Sequence, residues 1–374
     1  MSRKRFTKKL FLIILIAFFV SFGCSNFFDA QAAGPVKWRF QSVVAPGDDI
    51  VKIWKMFAER VSKYSDGRLT FEMLLAGSSG VAMPQYVAAY SQNLVESGDL
   101  VPFMYPGEFG EWVGVPSLLA WLYKNPSAVV ETSRQAKSLY EAVLMKRGIM
   151  PIAMLNAVMS SDGVTPIFSR KEIKQESDLK GLRIRVPGKV QEEYIFKKLG
   201  VNALTIPISE VYLAMSRGLC DAVKSGTQRL MALRLHEVAK YVYVDSYVGS
   251  FQPSFIVCSQ KAYESLTPDL RQALIKAGKE IESLYWNEIF WHPEKYQIRS
   301  EIDALKEARS KGLLLRMLPE SLIDKMGTLA QAGVQEMGGK SGTEGKTLVD
   351  IVNKALAKYP KLESEVYSFV KGSK

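Results

Sequence analysis

Between Val36 and Leu75 the hydrophobic period of the sequence changes twice, and that change limits the fold classes open to the chain. Val36 to Val44 is rich in β-branched and aromatic residues and reads as a strand, stopped by Ala45-Pro46-Gly47. In the next segment Ile50, Ile53, Trp54, Phe57, Val61 and Tyr64 recur at the spacing of one helix face, and Asp48 or Asp49 can cap that helix. Ser65-Asp66-Gly67 ends it, and Leu69 to Leu75 is a second strand. A strand, a helix and a strand joined by short turns open a parallel α/β sheet.

The rhythm continues. A helix is predicted near Pro84 to Val95, with strands near Leu100 to Met104, Met150 to Val158, Leu182 to Val186 and Ala203 to Ile206. Ser209 is expected to cap a helix with Glu210 in its first turn, where a negative charge suits the helix dipole. That helix ends at Arg217-Gly218, before a strand around Leu219 to Val223. From Thr267-Pro268-Asp269 helix-favouring sequence runs towards Arg309, and Pro293 should kink or divide it because proline removes a backbone donor. A chain of 374 residues, 47% hydrophobic, can bury two ordinary cores. No long linker separates them, so the two parts are expected to be joined by several crossings.

The N-terminus speaks to compartment. Arg3, Lys4, Arg5, Lys8 and Lys9 precede an uncharged apolar run from Leu10 to Gly23, which is the n-region and h-region of a secretory signal and short for a membrane span. Ala30-Gln31-Ala32 supplies the small-x-small cleavage pattern, so cleavage is expected after Ala32 and the mature protein in the periplasm. A competing reading lipidates Cys24 and anchors the chain. Removing residues 1–32 takes away five basic groups and one acidic group, so the net charge falls from +11 to +7, spread along the chain. No basic stripe with interleaved aromatics is present, which argues against a nucleic-acid partner. Cys220 and Cys258 lie in separate apolar stretches and are expected to be unpaired core thiols.

From Phe168 to Leu230 the sequence becomes specific. Asp178-Leu179-Lys180-Gly181-Leu182-Arg183-Ile184-Arg185-Val186-Pro187-Gly188 is followed by Leu199-Gly200-Val201. Next come Ile206-Pro207-Ile208-Ser209-Glu210-Val211-Tyr212-Leu213-Ala214-Met215 and Arg217-Gly218-Leu219-Cys220-Asp221. This block resembles the centre of the TRAP transporter extracytoplasmic solute receptors, and the likeness extends over nearly all of the mature chain. It implies a two-domain α/β periplasmic binding protein, a clamshell with a long C-terminal helix spanning both domains, and no catalysis. It also implies a division into residues 33–160 with 251–290, and 161–250 with 291–374, closing on a ligand between them.

The resemblance also implies a site. Arg183 and Arg185 share one face of their strand, so alternation does not choose between them; the family places the arginine that clamps the ligand carboxylate at Arg185. A guanidinium stays charged and offers paired donors that match two carboxylate oxygens. Ser225 stands where relatives often carry an asparagine against the same carboxylate, and can still donate one hydrogen bond. Lys224 replaces an acidic residue; it is expected to point outward, the alternative being a second positive charge in the site. Ile208 matches a position often held by an aromatic ring against the ligand, and Thr165 falls near a basic residue of the sialic-acid branch, which disfavours that branch. On the other lobe the loops Val43 to Asp49, Gly77 to Met83 and Phe103 to Glu108 should face the cleft, with Val43, Met104 and Tyr105 near the contacts. Such a pocket suits a monocarboxylate with an apolar, keto or aromatic body better than a polyhydroxylated sugar acid.

The implied partners are a small organic carboxylate and the membrane subunits of a TRAP transporter; delivery to a membrane sensor is the alternative. No cofactor is implied, and no metal-ligand cluster stands at the positions some relatives use. An exported hydrolase would need a nucleophile and a base, yet the chain has only His236 and His292, no Gly-x-Ser-x-Gly elbow and no His-Glu-x-x-His pair.

Overall fold

The computed structural model describes residues 34–247 and 251–372; the expected signal segment and Cys24 lie outside them. β1 (Val36–Gln41), β2 (Leu69–Leu74), β3 (Ser97–Leu100), β4 (Ile149–Asn156) and β10 (Pro253–Ser259) make one sheet, in the order β2-β1-β3-β10-β4. β1 and β3 are parallel, whereas β10 runs antiparallel to β3 and β4. The second sheet has the order β11-β9-β5-β8-β6-β7, built from β5 (Ile167–Ser169), β6 (Arg183–Val186), β7 (Asn202–Thr205), β8 (Ala222–Lys224), β9 (Tyr241–Val244) and β11 (Leu314–Met317). Here β7, β6 and β8 are mutually parallel, and β5 is antiparallel to β8 and β9. The chain leaves the first sheet after β4, returns at β10 and leaves again before β11. These repeated crossings are what the missing linker suggested.

The helix Ile50–Tyr64 buries Ile50, Ile53, Trp54, Phe57 and Val61, the stripe its periodicity marks. It ends in a turn where Asp66 and Gly67 both take positive φ. The long helical run breaks into Pro268–Leu284, a π turn at Tyr285–Ile289, a short turn at Pro293–Tyr296 and the helix Glu301–Ser310. Proline divides the run because it cannot donate into the ladder. Glu320–Lys340 packs on both Glu111–Trp121 and Glu192–Phe196, so a C-terminal helix touches both α/β parts, and Gly342–Lys358 lies against Pro126–Lys146.

Three local expectations need correction. Residues 101–104 are not strand: β3 ends at Leu100 and Pro102–Met104 forms a 3-10 turn, since Pro102 has no N–H for a ladder. Ser209 caps nothing, because a 3-10 turn at Ile208–Glu210 begins one residue earlier, with Pro207 ahead of it, and only then does the helix Val211–Ser216 start. The strand expected around Leu219 to Val223 is Ala222–Lys224. Cys220 and Cys258 are both buried and unpaired.

Candidate functional site

Three parallel strands of the second sheet end together at Val186, Thr205 and Lys224. The carboxyl ends of parallel strands are where open α/β sheets take ligands. Arg185 fans out across these ends: its Nε donates to the Ile206 carbonyl at 2.8 Å and Nη1 to the Lys224 carbonyl at 3.0 Å. The side chain is 1% exposed. No Asp or Glu among the described residues forms an ion pair with it. Burial, reinforced by nearby Arg229, pushes its pKa down to about 9, so it stays charged at neutral pH.

Arg183, two residues earlier, is spent differently. Its Nε and Nη2 donate to Asp221 at 3.0 and 2.9 Å, and its backbone N–H reaches the same carboxylate. These bonds, with Lys171 adding its charge, hold Asp221 well below the usual carboxylate range.

Lys224 does not point outward, and it adds no uncompensated charge to the site. Its ammonium is sealed from water, donates to both Asp245 oxygens at 2.8 and 2.6 Å and to the Thr165 carbonyl, and sits 4.9 Å above the Trp121 ring. Burial pushes the lysine's pKa down and the carboxyl's up, and their attraction works against both shifts.

Arg185 opens onto a cavity whose wall draws on both sheets. Val43, Met104, Ile208, Thr165 and Ser225 all line it, as do Val101, Phe103 and Pro187. Tyr105 does not: the 3-10 turn that sets Phe103 and Met104 on the wall carries Tyr105 to the Met83 carbonyl, to which its hydroxyl donates at 2.8 Å. Of the loops expected at the cleft, 77–83 supplies no wall residue. Gly163 lets the segment 158–165 fold tightly beside the cavity; a Cβ there would meet Val158 at 2.4 Å and the Ser160 carbonyl at 2.9 Å.

Several wall residues escaped the sequence reading. Arg229 Nε pairs with Asp48 Oδ2 at 2.7 Å, joining the second α/β part to the start of Ile50–Tyr64 in the first. Asp99 of β3 is 7% exposed, and Glu301, 3% exposed, accepts a bond from the Thr227 hydroxyl. Burial raises their pKa values to about 6 and about 8. Three wall atoms, Asp99 Oδ1, Ser160 Oγ and Thr165 Oγ1, are buried with no hydrogen-bond partner among the described residues. Asp99 falls outside the strand expected from Leu100, and Arg229 and Glu301 carry no local sign of a place on the wall. Among the described residues no cluster of His, Cys, Asp and Glu is arranged to hold a metal ion, and no helix is long and apolar enough to cross a membrane.

The family described as bacterial extracellular solute-binding protein, family 7, matches residues 40–309. A solute-binding protein of Albidiferax ferrireducens is 28% identical over 251 residues, covering 64% of this chain and 69% of that protein. A monocarboxylate 2-oxoacid-binding periplasmic protein of Nostoc is 28% identical over 235 residues, 61% of each chain. Among solved structures, a Bordetella pertussis extracytoplasmic solute receptor binding pyroglutamic acid superposes with a TM-score of 0.74 at 19% identity, over 85% of this chain and 99% of that one. The galactonate-bound sugar acid binding protein of Advenella mimigardefordensis gives 0.74 at 20% identity, over 86% and 99%.

Proposed function

The chain belongs to family 7 of the bacterial extracellular solute-binding proteins, and from that premise we propose that it captures a small monocarboxylate between two α/β lobes and delivers it to the membrane subunits of a TRAP-type transporter. It is an extracytoplasmic binding protein and not an enzyme. Its lobes are residues 33–160 with 251–290 and residues 161–250 with 291–374, and export proceeds by cleavage after Ala32 without lipid on Cys24.

The observation that carries the carboxylate reading is Arg185. An isolated cation in a water-poor site is unfavourable unless paired, and among the described residues Arg185 has two carbonyl partners and no carboxylate, on a cavity wall. A ligand carboxylate supplies the missing anion, with the hydroxyls of Thr165 and Ser225 beside it on the same wall. The apolar lining from Val43, Val101, Met104, Ile208 and Pro187 favours a compact body over a polyhydroxylated one. Relatives named for a 2-oxoacid and for pyroglutamic acid support the class.

Mass spectrometry of small molecules released by denaturing the purified protein tests the reading. A stoichiometric monocarboxylate is the expected result, and recovery of an uncharged sugar or an amine without a carboxyl group contradicts it.

A further inference from the structure

Resting on the carboxylate reading, we infer that Asp99 takes a hydrogen-bond donor on the ligand, so that the cleft selects acids bearing a hydroxyl or N–H over acids of the same shape without one. Asp99 and Val101 both line the cavity, as residues two apart along an extended segment can. The carboxyl is buried, its Oδ1 has no partner among the described residues, and Ser42 donates a hydrogen bond to it. Arg229 and Asp48 act on it only at a distance, because they are paired with each other.

Asp99 is also held in place. The Tyr90 hydroxyl donates to its carbonyl at 3.1 Å, and a Cβ on neighbouring Gly98 would lie 2.1 Å from that hydroxyl and 2.4 Å from the Gln41 carbonyl. The strand therefore has little room to swing the carboxyl elsewhere. A buried acceptor left unmade is unfavourable, and a donor on a ligand in the cavity would satisfy it. With its pKa at about 6 it is mostly ionised at neutral pH, and so accepts and does not donate.

Placement gives this acceptor a second consequence. Arg185 belongs to the second sheet and Asp99 to the first. A ligand that presents a carboxylate to one and a donor to the other ties the lobes together. An acid without the donor anchors on one lobe only and leaves Asp99 buried and unmatched on closure.

The test uses calorimetry and melting curves on the exported protein with matched acids. Mandelate, phenylglycine, phenylglyoxylate and phenylacetate present hydroxyl, ammonium, keto oxygen and hydrogen on one frame; pyroglutamate is set against its ring-oxygen lactone analogue. Donor-bearing acids should bind roughly ten- to a hundredfold more tightly than their partners. Asp99→Leu should erase that preference, bringing donor-bearing and donorless acids to within about threefold of each other. Asp99→Asn preserves the shape if the leucine variant fails to fold. It keeps an acceptor for hydroxyl or amide N–H but loses the charge that an ammonium group requires, so it separates the donor types.

Equal affinity within each pair, or a preference that survives Asp99→Leu, overturns this inference while Arg185→Ala still weakens binding by roughly 30-fold or more. If Arg185→Ala binds the acids as the parent does, or no acid raises the melting temperature at millimolar concentration, the carboxylate reading beneath it is what fails.

Discussion

Lys224 and Arg185 are both closed off from water, and one donates to the other's carbonyl, yet they are neutralised in opposite ways. On the side of the sheet where Trp121 packs, Lys224 has a carboxylate with two good contacts, a carbonyl and a ring face. At the cavity, Arg185 has carbonyl dipoles alone among the described residues. A protein interior tolerates a buried pair because each charge solvates the other. On the proposed reading, the unpaired Arg185 is tolerated because a ligand carboxylate completes the pair. On that reading the two buried cations differ in whether their counter-ion comes from the chain or from a ligand.

The largest expected effect lies on the sealed side. Asp245→Ala leaves the Lys224 ammonium uncompensated and should destabilise the protein by about 3–5 kcal/mol in urea unfolding. The double change Lys224→Met with Asp245→Leu should recover most of that loss, since apolar groups of similar size can replace a buried pair. If Asp245→Ala unfolds at the parent's midpoint, the sealed side is not held by this pair and the contrast with Arg185 disappears.

Glu301 extends the contrast to an acid. Its folded pKa of about 8 lies above the roughly 4.3 of a free carboxyl, so the folded state binds the extra proton between those values. Stability gained from that proton is present at low pH and lost as pH rises through about 8. Glu301→Gln should flatten this part of the pH profile and stabilise the protein at pH 8 by about 1–3 kcal/mol. Urea midpoints with the same pH slope in both proteins contradict the assignment.

Arg183 is the small-effect control. It shares a strand with Arg185 but is already paired with Asp221, so Arg183→Ala should change ligand affinity by no more than about threefold. What it should change is acid stability. Asp221's depressed pKa contributes stability above the ordinary carboxyl range that is lost as pH falls below about 4, and the variant should lose less over that interval.

The choice between the two arginines shows where sequence reading ends. Alternation put Arg183 and Arg185 on one face, and only the family resemblance picked Arg185. The physical distinction is Asp221, which follows on another strand's approach and carries no local mark of its role. Lys224 was misread for the same reason: Asp245 and Trp121, which seal it, are distant in sequence. By contrast the helix Ile50–Tyr64, the strand pattern of the central block and the break at Pro293 were legible, because periodicity and proline act through neighbouring residues. The helix Pro126–Lys146 went unmarked although Asn125 caps it through the Ser127 N–H and Pro126 opens it. Asp99 was lost by a strand boundary set too late, which left the one charged residue of β3 in a loop.

The claim that Arg185 is the ligand's counter-ion is tested most directly by calorimetry of Arg185→Ala, shown by its melting curve to be folded, with the molecule recovered from the parent protein. Removing the cation leaves a buried carboxylate unpaired, which costs on the order of 2–5 kcal/mol, so binding should weaken by roughly 30-fold to several thousandfold. Arg185→Lys should recover only part of this, because a point charge does not reproduce the paired donors. An Arg185→Ala protein that binds as tightly as its parent contradicts the account.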